Sequence, residues 1–284
     1  MTNPEVYARH TEFSDPGRHR VRLAALPDQV AALNAAARNV IGHYRAEIKE
    51  LPEERWSEVD SRWLETILDV DARRHELPLD GPRPPDDRVA GCCRDHSLFV
   101  IGALRDRNVP ARSRVGFSHY FGPDWAFDHV IVEHWDGTRW VRTDPELDPA
   151  GSWPFDPLDM PSGAGAPFET AAEAWLRYLA RETDLSRYGV YPGSEFSGPE
   201  FVRDYVLREL SHRVGDELLL WDEQADVEDV DRLAGLLVRA DAGDANAETE
   251  LWTRYESDER LRPGATVLQN SPFGRPPVSI RLRR

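Results

Sequence analysis

The stretch DHVIVEHWDGTRWVRTDP, Asp128 to Pro145, constrains the fold more than any other. Up to Trp135 it is a β-branched, apolar run of strand length, and a second such run begins at Arg139. Between them, Asp136-Gly137-Thr138 is turn chemistry, because Asp-Gly accepts the positive φ angles of tight hairpins. An antiparallel hairpin about Asp136–Gly137 follows, with strands over Asp128–Trp135 and Arg139–Pro145. A turn centred between those two residues sets His129 directly opposite Asp144.

Upstream, Cys92 to Asp106 reads as a helix with Leu98, Phe99, Ile101 and Leu104 as its apolar residues, and RNVPARSRVGFS then turns into a strand. A helix followed by antiparallel strands predicts an α+β fold. Leu26, Val30, Leu33, Ala37, Val40 and Ile41 recur at helical spacing. So do Trp56, Val59, Trp63, Ile67 and Leu68, whose tryptophans are assigned to the core. Leu77 to Asp87 is a proline-broken loop, and a Pro/Gly-rich segment runs from Pro145 to Pro167. Helices are predicted over Glu169–Glu182, Phe201–Val214, Val227–Val238 and Ala247–Glu256, with a short strand near the end. No repeat is present. Three segments result: a helical 1–88 belonging to the same domain as the core, a core at 89–160, and a mainly helical extension at 161–284.

Acids outnumber bases by 51 to 35, a formal charge of −16, which disfavours nucleic acid and anionic membranes as partners. Met1 to His10 carries no apolar leader, and the longest apolar run, Leu98 to Leu104, falls far short of a membrane span. A cytoplasmic protein is expected, and a structural disulfide is then not.

The only two cysteines stand together in GCCRDH, Gly91 to His96. Adjacent cysteines make a poor metal pair, no second pair exists, and no calcium-loop pattern appears, so neither metal nor cofactor is expected. A vicinal disulfide fits its geometry poorly. A cysteine on the first turn of a helix, by contrast, meets unpaired N–H groups and the positive end of the dipole, which favour thiolate and can hold an oxyanion. The two cysteines point roughly 100° apart on a helix, so one faces a site and the other packs. Gly91 leaves the backbone open to an approaching substrate. Among nine histidines, His96 shares the cysteine helix and leaves no room for substrate between them. His119 lies in an aromatic loop, FSHYFGPDWAF, with no acid placed to orient it. His129, opposite Asp144, meets both needs of a catalytic imidazole.

The pieces GCCRDHSLFVIGALRDRNVPAR and DHVIVEHWDGTRWVRTDP, in that order, resemble the transglutaminase-like superfamily over about Val89 to Pro145. That family comprises cysteine enzymes on a papain-like fold. NVPAR, Asn108 to Arg112, is similar to its GIPAR motif. The resemblance implies a papain-like α+β core with Cys93 as nucleophile, His129 as general base and Asp144 as third member. The second oxyanion donor has no motif to mark it, and Trp125 is the nearest candidate. Where many relatives read His-Ala-Trp, this chain reads His129-Val130-Ile131.

The expected activity is acyl transfer through a Cys93 thioester on an amide or ester of a peptide, protein or small molecule. Water as second nucleophile makes a hydrolase; an amine makes an amide-forming acyltransferase. Two other readings remain: an inactive binding or scaffold protein on the same fold, and a redox dithiol at Cys92–Cys93.

Overall fold

A computed structural model describes residues 4–48 and 50–283. Part of the polar start (Met1 to Asn3) and the last residue of the basic end (Arg284) lie outside the described residues. The fold is α+β, with α1 (Arg20–Ala24), α2 (Val30–Val40), β1 (Ile41–His43), α3 (Trp56–Val59), α4 (Leu64–Arg74), β2 (Val89–Gly91), α5 (Cys93–Arg105), β3 (Ala111–Ser118), β4 (Ala126–Trp135) and β5 (Trp140–Thr143). Then follow β6 (Phe168–Thr170), α6 (Ala171–Leu179), β7 (Tyr188–Gly189), α7 (Pro199–Val214), α8 (Val230–Asp241), α9 (Ala245–Ser257), β8 (Thr266–Gln269) and β9 (Val278–Arg281). The main sheet has the strand order β5-β4-β3-β6, with β7 also paired to β4. Among the described residues, no helix is long and apolar enough to cross a membrane.

The described chain divides into two compact units, one of 4–113 with 131–160 and one of 114–130 with 161–283. The first is built around α5, all of whose residues are buried. Leu33, Ala37 and Val40 lie on the buried face of α2, as their spacing predicts, joined by Ala36, whereas Ile41 ends the helical run and opens β1. Buried Asn34 donates to Thr143 Oγ1 at 2.8 Å. The helices approach closely at Gly102 of α5, where a Cβ would overlap Leu64 Cδ2 and stand 2.9 Å from the Ser14 carbonyl oxygen. Only glycine fits there. The run from Trp56 to Leu68 breaks into α3 and α4, and its tryptophans are half-buried, a correction to their assignment as core. Trp56 spends its indole N–H on the Leu51 carbonyl at 3.1 Å, which keeps its ring near the surface.

Within the same unit, β4 and β5 form the expected antiparallel hairpin, but in a different register. Trp135 pairs with Trp140, leaving a four-residue loop in which Asp136 Oδ1 accepts the N–H groups of Thr138 and Arg139 at 2.7 and 2.8 Å. Gly137 takes the predicted positive φ, +102°. The turn is therefore centred one residue later than the Asp-Gly pair implied. Val132 faces Thr143, so the next step of the register sets Asp144 against Ile131 and not His129.

The second unit holds the helices after 161. β3 pairs antiparallel with β6 through Gly116–Thr170, and β4 pairs parallel with β7 through Ala126–Tyr188. A capping box starts α6: Glu173 N–H donates to Thr170 Oγ1, and Thr170 N–H donates back to Glu173 Oε2. The core here is not purely apolar. Arg114 reaches Glu209 and Asp241 at 2.6 Å each, and Arg213 pairs with Asp241 and Glu248.

Candidate active site

Cys93 and Asp144 fall in the first unit and His129 in the second, so each half is built from its own surroundings.

The chain enters the cysteine pair along β2, which pairs parallel with β1 through Ile41–Val89 and His43–Gly91. Ala90 N–H donates to Glu58 Oε2 at 3.0 Å, and Arg55 and Arg74 hold that carboxylate. At Gly91 a Cβ would lie 2.8 Å from Ile41 Cγ2 and 2.9 Å from Asp95 Oδ2. Glycine there makes room for Ile41 and Asp95.

Cys92 is extended (φ −135°, ψ −173°) and caps α5, which begins at Cys93. Cys92 N–H donates to Asp95 Oδ2 at 2.9 Å, closing a capping box whose acid is held from its other oxygen by buried Arg94, also at 2.9 Å. Cys93 thus stands at the first helical position of α5, at the positive end of its dipole. Both cysteines are free thiols and both are buried, 4% exposed. The hydrogen bond from Cys93 pulls the Cys92 thiol down. Burial and the Asp95 and Glu146 carboxylates outweigh that bond and push it above its ordinary value. Cys92 is therefore kept as a protonated packing thiol.

His96 lies just below, 1% exposed. Its Nδ1 is 3.0 Å from the Cys92 carbonyl oxygen and 3.1 Å from Glu146 Oε1, and its Nε2 is 3.1 Å from the Ile41 carbonyl oxygen. With both nitrogens so engaged, His96 has no lone pair to offer as a base. Asp144 is fully buried just past β5. Its N–H donates to the Pro157 carbonyl at 3.0 Å, and its Oδ1 accepts Glu146 N–H at 2.9 Å.

In the second unit, His129 is 2% exposed in β4 and is ringed by aromatic side chains. Phe121, Tyr120 and Phe168 stand edge-on to its imidazole at centroid distances of 5.0, 6.1 and 6.5 Å. Trp125 donates its indole N–H to the Gly189 carbonyl at 3.1 Å, so that N–H anchors β7 and is already engaged. His119 does have an acid: Glu169 of β6 accepts from His119 Nε2 at 3.0 Å and from Tyr188 Oη at 2.5 Å. Burial raises the Glu169 carboxyl, but those two donors and Arg177 together hold it below its usual value. Tyr188 is pushed up to about 12, by burial first and then by Glu169. No local pattern signals this pairing; only β3–β6 pairing brings His119 and Glu169 together.

No family model matches the chain, and no curated protein matches it. Among solved structures it is similar to a protein described as a "Putative Cysteine Protease" from Cytophaga hutchinsonii, at 14% identity and a TM-score of 0.31. The match covers 49% of this chain and 40% of that one, so the chain spans well under two thirds of the protein it matches. A likeness of that depth carries no argument about activity.

Proposed function

We propose that this chain is a cysteine-dependent acyl-transfer enzyme on a papain-like, transglutaminase-like core, with Cys93 as nucleophile, His129 as general base and Asp144 as the orienting acid. The observation that carries this reading is the position of Cys93 as the first residue of α5, behind an extended Cys92 and a buried capping box. There the dipole and the first-turn N–H groups favour thiolate and suit an oxyanion.

The proposed step is as follows. His129 takes the Cys93 proton, the thiolate attacks the carbonyl of an amide or ester, and the Cys93 N–H receives the oxyanion. The imidazolium returns its proton to the leaving group as the C–N or C–O bond breaks, and a thioester remains. His129 then takes a proton from water or an amine as that nucleophile attacks the thioester carbonyl; the C–S bond breaks, the acid or amide is released, and the imidazolium returns its proton to the Cys93 thiolate. The aromatic ring of Tyr120, Phe121 and Phe168 about His129 supports water exclusion on the leaving-group side.

The burial of both thiols favours a second reading, a scaffold protein that performs no chemistry at Cys93. Alkylation by iodoacetamide at neutral pH separates the two. An enzyme shows Cys93 reacting faster than glutathione and slowing in His129→Ala. If Cys93 reacts no faster than glutathione and is indifferent to His129→Ala, the acyl-transfer reading is wrong.

A further inference from the structure

His96 is a buried ionisable group for which the proposed mechanism has no use, and its surroundings fix its protonation state. One ring nitrogen faces the Ile41 carbonyl at 3.1 Å and the other faces the Cys92 carbonyl at 3.0 Å. A backbone carbonyl only accepts, so both nitrogens must carry hydrogen, and the ring is an imidazolium. Glu146 supplies the counter-charge at 3.1 Å. Burial works against this charge, but Glu146, the Cys92 carbonyl and Glu47 outweigh it and hold His96 up at about 9.

The carbonyl that His96 binds belongs to the Cys92–Cys93 peptide. A charged donor on that oxygen polarises the peptide and makes the Cys93 N–H a stronger donor. The other charges near this turn are mostly negative. Asp95 and Glu146 both act to raise the Cys92 thiol. Glu47 follows β1, and Asp144 stands two residues before Glu146. Arg94 is taken up by Asp95, and Arg38 binds the Pro145 and Leu147 carbonyls at 2.9 Å each. His96 thus binds the Cys92 carbonyl of the cysteine turn directly, whereas Arg94 reaches the turn through the Asp95 carboxylate.

We infer that His96 is a positioning residue for the proposed reaction: an imidazolium at neutral pH that polarises the Cys92–Cys93 peptide and offsets the surrounding carboxylates at the head of the nucleophile helix. This inference rests on Cys93 being the nucleophile. It also ties the segment bearing Asp144 to that helix, because the Glu146 carboxylate stands 3.1 Å from His96 Nδ1 as its counter-charge while the Glu146 N–H donates to Asp144 Oδ1.

The test is the pH dependence of Cys93 alkylation in the full chain, with the adduct located by fragment mass spectrometry. Wild type, His96→Gln, Glu146→Gln and His129→Ala are compared. Removing the cation moves the Cys93 midpoint up by about one pH unit, roughly tenfold slower alkylation below it. In Glu146→Gln the His96 charge is followed by ring NMR, and over the pH range in which the ring stays protonated, loss of the counter-anion moves the midpoint down. A merely structural role changes rates at every pH and leaves the midpoints where they are, or moves both the same way. Either result overturns the inference. Should His96→Gln fail to fold, Glu146→Gln decides alone, and an unmoved or raised midpoint counts against it. Failure of the underlying reading looks different: wild-type Cys93 then behaves like glutathione and ignores His129→Ala.

Discussion

Arg114 and Glu209 form an ion pair 2.6 Å apart, and neither side chain exposes any surface. Burial pushes the Glu209 carboxyl up to about 6 despite Arg114, with Asp241 adding to the rise. A carboxyl raised in the folded state gives stability that is present below its unfolded value near 4.5 and lost as pH rises through about 6. Glu209→Gln keeps an acceptor for Ala172 N–H and removes this titration. Wild type should therefore lose about 2 kcal/mol relative to the variant between pH 4.5 and 7.5. Urea unfolding of both proteins at those two pH values reads the difference; a constant difference contradicts the account.

His96 carries its own stability signature. Its value is raised from 6.5 to about 9, so its stabilisation is complete below 6.5 and is lost as pH rises through 9. The raised value corresponds to about 3 kcal/mol. His96→Gln should cost much more stability at pH 6 than at pH 10. Equal costs at the two pH values would show that the ring is not held as a cation.

Asp95 serves two buried groups, the Cys92 N–H and Arg94. Asp95→Ala removes the cap and leaves a buried arginine without its carboxylate, at a cost of about 3–5 kcal/mol. Asp95→Asn retains an acceptor and should cost clearly less. Chemical denaturation of both variants orders them; equal losses would mean that the carboxylate does not hold this turn.

Gly102→Ala places a methyl against Leu64 and the Ser14 carbonyl. The collision should cost about 1–3 kcal/mol, although alanine is the better helix former on an open surface. A stabilised variant in thermal unfolding would contradict the close approach of α4 and α5.

Local patterns mark much of this fold. The apolar spacing of Leu98, Phe99, Ile101 and Leu104 located α5 to within a residue at each end, and the strand–Asp-Gly–strand pattern located β4 and β5. The register was harder, because it depends on loop length. Asp136 capping two following N–H groups stretches the turn to four residues and moves Asp144 away from direct opposition to His129. Long-range partners left no local trace. Glu169 reaches His119 and the Gly189 carbonyl reaches Trp125 only through strand pairing. The ties of His96 to Ile41 and Glu146 come from segments that sequence spacing does not connect.

The central claim is that Cys93 carries an acyl group. Incubation with p-nitrophenyl acetate, an acid quench and fragment mass spectrometry test it directly. The account predicts an acetyl thioester on Cys93 in wild type and a much slower one in His129→Ala. Acetyl on Cys92 alone, or no thioester on either cysteine, would contradict it.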